Sequence, residues 1–73
     1  MNFIIETYEH APGDFRRLVR AEKADIWLIA IDSGGSGYTM RHLKKGDIWP
    51  EGPCELHRIF DTWEEAEAEW NRL

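Results

Sequence analysis

Three histidines and a single cysteine are the residues of this 73-residue chain best suited to metal binding or nucleophilic chemistry. Cys54 and His57 stand at a ligand-pair spacing, but residues 54–60 read as a strand. Side chains three apart on a strand leave opposite faces, so the two would not share one ion. His42 and His57 could lie on adjoining strands, yet two imidazoles without a third ligand do not make a metal centre. A Cys–His nucleophile would need a depressed thiol pKa and a base within hydrogen-bond reach. Cys54 follows Pro53 at a strand start and suits a small buried filler instead. Ser33-Gly34-Gly35-Ser36-Gly37 has the glycines of a phosphate loop without its Lys or its following helix. No carboxylates pair at a spacing that implies a cleft. The expectation is a non-enzymatic protein with no metal and no cofactor.

Binding chemistry is better represented. Ile48 and Trp49 sit in Ile48-Trp49-Pro50-Glu51-Gly52-Pro53, whose two prolines predict an irregular segment. A Trp on a constrained loop is a typical interface anchor; the competing reading folds Trp49 back over one end of the core. Lys44 and Lys45 would add polar rim contacts. The second candidate is an acidic helix face of Glu64, Glu65 and Glu69, either a solvated surface or a contact surface. As a contact surface it could stand in for phosphates in a partner's Lys/Arg groove.

The elements that must hold these residues follow from patterning. Asn2 to Tyr8 reads as a strand, broken by His10-Ala11-Pro12-Gly13. Phe15, Leu18 and Val19 suggest a short helix over 14–23, capped by Asp14, with Arg16, Arg17, Arg20 and Lys23 on its remaining faces. Asp25 to Asp32 is apolar on both parities and should be a central strand covered on both faces. Tyr38 to Leu43 pairs with it as a hairpin. Cys54 to Phe60 forms the last strand and runs into a helix. Thr62 and Glu65 make a capping box for that helix. Trp63, Ala66, Trp70 and Leu73 form the stripe expected to pack on the sheet, which would bury Trp70. The predicted class is α+β: a small antiparallel or mixed sheet of three to four strands with the C-terminal helix on one face, in a single domain.

Nine basic against fourteen acidic residues give a formal charge of −5, the reverse of what phosphate neutralisation favours. Nucleic acid is thus an unfavoured partner. One cysteine makes no internal disulfide, and no apolar run is long enough for a membrane span. Glu6 falls where a signal peptide would continue its apolar region. The expected location is cytoplasmic, and a homodimer remains open.

The junction Phe60-Asp61-Thr62-x-Glu64-Glu65-Ala66 resembles that of AP2-type DNA-binding domains, with Ile26 to Trp70 as the comparable stretch. That resemblance implies a three-stranded sheet with a packed helix. It also implies an alternative function, DNA binding through Arg41, Lys44, Lys45, Arg58 and the arginines at 16, 17 and 20. The family reads DNA with arginines and tryptophans across its strands, whereas Asp25 to Asp32 carries no basic residue. HicB-type antitoxins have a similar Thr-x-Glu-Glu-Ala after a strand. In size, acidity and lack of catalytic groups the chain is similar to small phage-encoded anti-CRISPR proteins. That similarity implies an inhibitor of a CRISPR effector's nucleic-acid-binding surface, working in the host cytoplasm on a protein partner with a basic groove.

Overall fold

The computed structural model describes residues Met1–Leu73 and contains six strands and one α-helix. β1 (Phe3–Ala11) and β2 (Asp14–Ala21) form a long hairpin. β3 (Ile26–Ile31) leads through a 3-10 turn at Ser33–Gly35 into β4 (Tyr38–Leu43). The short β5 (Ile48–Pro50) and then β6 (Glu55–Phe60) precede α1 (Trp63–Arg72). All pairings are antiparallel, in two three-stranded sheets ordered β1-β2-β5 and β4-β3-β6. The class is α+β with the C-terminal helix on one sheet, but there are two sheets rather than the one expected.

The second sheet exists because residues 14–21 are a strand and not a helix. Pairing runs from Ala11 opposite Asp14 to Phe3 opposite Ala21. Val19 and Ala21 are fully buried on the inner face, while Arg16 and Arg20 pair with Asp14 and Glu6. An isolated helix this short is unstable in water. The ready-made β1 edge offers the same residues a full hydrogen-bond ladder. Gly13, at φ 79°, allows the reversal that joins them. The segment after Lys45 is likewise more regular than its prolines suggest. β5 is an edge strand, so Pro50 ends it without removing a needed donor.

β3 holds the two halves of the core apart. Ile26, Leu28 and Ala30 join Val19, Ala21, Leu43 and Leu56 in a cluster between the sheets, with Phe3, Trp49, Cys54 and Ile59 against it. Ile29, on the other parity, packs with Phe60 and Ala66 beneath the helix, flanked by Trp27 and Met40. Apolar residues on both parities of β3 are thus covered from both sides, as its pattern implies.

The helix starts where Thr62 turns from extended backbone and its hydroxyl accepts the Glu65 N–H at 3.2 Å. The Glu65 carboxylate accepts from the Thr62 hydroxyl at 2.9 Å, rather than from the backbone N–H of a standard capping box. Thr62→Ala should therefore lower stability by about 1 kcal/mol, read as a shift in the urea midpoint with an unchanged slope.

Of the stripe assigned to it, the helix buries only Ala66. Its buried residues are Ala66 and Glu69. Trp63 and Trp70 are 43% and 40% exposed, and Leu73 is 47% exposed. Truncating Trp70 should therefore cost well under the about 3–5 kcal/mol of a core aromatic.

Candidate functional site

The face of β4 that looks toward the helix layer follows from its pairing with β3. Tyr38 lies opposite Ile31, Met40 opposite Ile29 and His42 opposite Trp27. α1 packs mainly over β3 and β6, while on β4 Met40 is partly buried against the cluster beneath the helix and Tyr38 meets His57 of β6 edge-on. At about 100° per residue, Glu69 falls to one side of the buried Ala66 line, while Trp63 and Trp70 fall to the other. Glu69 bonds to His57 on β6, so its side is the β6 side. The two tryptophans therefore face β4. A pocket of about 260 Å³ lined by Tyr38, Trp70 and Leu73 lies between helix and strand at the C-terminal end of α1.

This groove has a chemistry of its own. Tyr38, 41% exposed, joins Trp63, Trp70 and Leu73 in an apolar and aromatic surface beside an edge strand. Trp27 stacks on His42 with ring centroids 4.9 Å apart and planes within 9°. Asp25 holds His42 from the far side at 3.1 Å and accepts the Lys45 N–H at 3.0 Å. The Lys45 N–H and the His42 hydrogen bond keep the Asp25 carboxyl below its ordinary range. Glu67 follows the tryptophans around the helix and stands on the groove's upper rim, with Glu64 beyond it. Both are exposed, and no ion pair in the protein uses either.

The acidic face is smaller than Glu64, Glu65 and Glu69 suggested. Glu69 does not project away; it is 5% exposed and is the centre of an ion cluster. His57 Nε2–H donates to Glu69 Oε2 at 3.0 Å, Arg72 donates twice to Oε1, and Arg58 stands 3.5 Å from it. Hydrogen bonds from His57 and Arg72 hold the Glu69 carboxyl below its ordinary range. Arg58 also lies over the Phe60 ring, 5.0 Å from its centroid. A carboxylate surrounded by two guanidinium groups and an imidazole N–H clips helix to sheet and is not available to a partner. Glu65 remains exposed but is tied into the helix cap.

The remaining candidates are dispersed. Trp49 lies opposite Val19 and packs against the core between the sheets, so the fold-back reading is the observed one. Ile48 is exposed, opposite Arg20. Lys44 and Lys45 occupy the turn after β4, also exposed. None of the four shares the groove of Trp63 and Trp70. Cys54 packs toward the inter-sheet core, whereas His57 bonds to the helix, so the pair does diverge to opposite faces.

A further buried carboxylate, Glu51, was not singled out by sequence pattern. It accepts the Arg17 N–H at 2.9 Å, Arg17 Nε at 3.0 Å, Arg17 Nη2 at 2.7 Å and the Leu56 N–H at 2.8 Å. Its own carbonyl accepts the Tyr8 hydroxyl. These bonds tie β1, β2 and β6 through one residue, a structural rather than a functional arrangement.

Sequence reasoning also did not single out Tyr38, Met40 and Glu67 beside the Trp63–Trp70 groove. The signal available was the seven-residue spacing of Trp63 and Trp70, with Glu67 midway. No helix is long and apolar enough to cross a membrane. Compared with family models, curated proteins and solved structures, the chain matches none.

Proposed function

We propose that this protein is a non-enzymatic protein-binding module whose contact surface is the groove between α1 and β4, directed at a basic partner surface. The observation that carries this reading is the gathering of Tyr38, Trp63, Trp70 and Leu73, each 40–47% exposed, with Glu67 next around the helix and Glu64 on its outer side, neither in an ion pair. An apolar aromatic centre with a charged rim is the anatomy of a protein interface. Contiguous apolar patches, rather than singly exposed apolar residues, are what mark interaction sites. The acidic rim and net negative charge steer toward a positive surface and oppose polyanions. In its narrowest form the module is an inhibitor, and the surface it occupies is the nucleic-acid-binding groove of a CRISPR effector.

The DNA-binding alternative has less to support it, because the basic residues it needs do not share a face. Arg16 and Arg20 pair with carboxylates on the β1-β2 hairpin, and Arg17 is engaged by Glu51. Arg58 belongs to the Glu69 cluster on the other sheet.

The test is affinity capture from host lysate with nuclease treatment, comparing wild type, Trp63→Ala/Trp70→Ala, and Ile4→Ala on the opposite sheet. A protein retained by wild type and Ile4→Ala but lost from the double variant is the expected result. Equal capture by all three, or retention that nuclease abolishes, would overturn the reading. Loss of effector–DNA binding on adding the wild-type protein tests the inhibitor form.

A further inference from the structure

We infer that the cleft between the edges of β4 and β5 is a binding site for a small oxyanion, a carboxylate or phosphate on a flat apolar body, gripped by Arg41. The cleft lies on the face of β4 away from α1. It is therefore separate from the groove of Trp63 and Trp70 and does not rest on the protein-binding reading.

Strand parity builds the site. Arg41 lies opposite Leu28 and Leu43 opposite Ile26, so both project toward the space between the sheets. Trp49, opposite Val19, enters the same space from β5. β4 and β5 are edge strands of different sheets, with no ladder between them. They bound a cleft of about 510 Å³ whose lining includes Arg41, Leu43, Asp47, Ile48 and Trp49. Leu43 is buried and Trp49 half-buried, while Arg41 and Ile48 are exposed.

Charge sets this cleft apart. Every other arginine is in an ion pair: Arg16 with Asp14, Arg17 with Glu51, Arg20 with Glu6, and Arg58 and Arg72 with Glu69. Arg41 has none, and neither have Lys44 and Lys45 beyond it. Asp47 and Asp25 serve the backbone here, accepting the Lys44 and Lys45 N–H groups at 3.0 Å each. In the cleft of Arg58 and Arg72, and in that of Arg17, the chain supplies its own anion as Glu69 and Glu51. At Arg41 an anion has to come from outside.

Shape narrows the ligand. A guanidinium is a planar fork that takes a carboxylate or phosphate through paired N–H bonds. Arg41 does not stack on Trp49; the one cation–ring contact in the protein is Arg58 over Phe60. The cleft thus separates guanidinium from indole, and a flat body can lie along Trp49 and Leu43 with its oxyanion on Arg41. Lys44 and Lys45 add positive charge nearby. The net charge of −5 disfavours a long polyanion. A single oxyanion in contact with Arg41 lies well inside the Debye length of about 8–10 Å, where the local cation dominates.

The probes are benzoate, phenyl phosphate, neutral benzamide and inorganic phosphate, followed by side-chain and amide NMR on the intact protein. Saturable shifts at the Arg41 Nε–H and the Trp49 indole N–H are expected with benzoate, phenyl phosphate or both. Which of the two binds more tightly decides between carboxylate and phosphate. Benzamide and inorganic phosphate should each bind at least about tenfold more weakly, lacking the charge or the flat body. Arg41→Gln, at an exposed position, should keep the melting temperature and lose at least about tenfold in affinity. Arg41→Lys keeps the charge without the fork and should fall between. Lys23→Gln removes an unpaired cation that does not line the cleft and should bind as wild type does. The inference is overturned by benzamide matching benzoate, by inorganic phosphate matching phenyl phosphate, by full affinity in Arg41→Gln, or by no shift at tens of millimolar probe. Tighter binding of short duplex DNA at the same residues would make the cleft part of a nucleic-acid surface and overturn it too.

Discussion

Glu51→Ala should strip the protein of most of its net stability and bring it close to its unfolding midpoint at room temperature. The Glu51 carboxylate is 9% exposed and collects four hydrogen bonds from Arg17 and Leu56. Removing it leaves the Leu56 N–H and the Arg17 N–H without their acceptor, at about 1–3 kcal/mol for each buried donor. The guanidinium is half-exposed and can rehydrate, so its loss adds less. The sum is on the order of 3 kcal/mol, against a net stability of about 3–5 kcal/mol for a domain of this size. Arg17→Leu should cost less, because Glu51 keeps both backbone donors. Urea denaturation compares the variants, and a Glu51→Ala midpoint equal to wild type would remove Glu51 from its place at the centre of the fold.

The same carboxylate sets an acid limit on stability. Burial pushes its pKa up, but the Arg17 guanidinium and the Leu56 and Arg17 N–H groups outweigh that and hold it at about 2, against an ordinary 4.5. A carboxyl depressed in the folded state stabilises fully above its unfolded value, and that contribution fades as pH falls toward the folded one. Its worth at neutral pH is on the order of 3 kcal/mol, with the loss spread between about pH 4.5 and 2. Asp25 and Glu69 are lowered too and act in the same direction. Glu51→Gln should be less stable than wild type at neutral pH, and the two should converge as pH approaches 2.

The legible parts of the fold were those with local causes. β3 declared itself through apolar residues on both parities, and Thr62 with Glu65 marked the helix start to the residue. β2 was misread because Phe15, Leu18 and Val19 satisfy a helical spacing while the same run also alternates. The decision lay with β1, whose ladder with β2 runs from Ala11 opposite Asp14 out to Phe3 opposite Ala21, and the more distant pairings are not local information. The stripe Trp63, Ala66, Trp70 and Leu73 was correctly seen as a stripe but assigned the wrong depth. A sheet of three strands is wider than one short helix, so α1 settled mainly over β3 and β6 and left Trp63, Trp70 and Leu73 partly exposed beside β4. Glu69 drew in toward His57 and Arg58 for the same reason: those partners come from β6, outside the helix, and helical periodicity does not report them.

Reversing Glu64 and Glu67 to Lys should weaken partner binding at least about tenfold at low salt while leaving the fold intact. Both side chains are exposed and unpaired, and surface changes of that kind usually alter stability by no more than about 0.5 kcal/mol. Against a basic partner, each reversal converts an attraction to a repulsion, so the wild-type affinity should fall with added salt and the variant's should not. Glu69→Lys belongs to a different class, although it neighbours them in sequence. It would place a cation among His57, Arg58 and Arg72 and should lower the melting temperature before any effect on binding can be read. Trp49→Ala should likewise act on stability through the inter-sheet core, whereas Trp63→Ala and Trp70→Ala should reduce affinity with little change in salt dependence, because they remove apolar contact and no charge. Titration of the captured partner at two ionic strengths, alongside thermal melts of each variant, separates these outcomes. If Glu64→Lys/Glu67→Lys binds as tightly as wild type at low salt, the acidic rim is solvated surface and the partner is recognised by the aromatic wall alone.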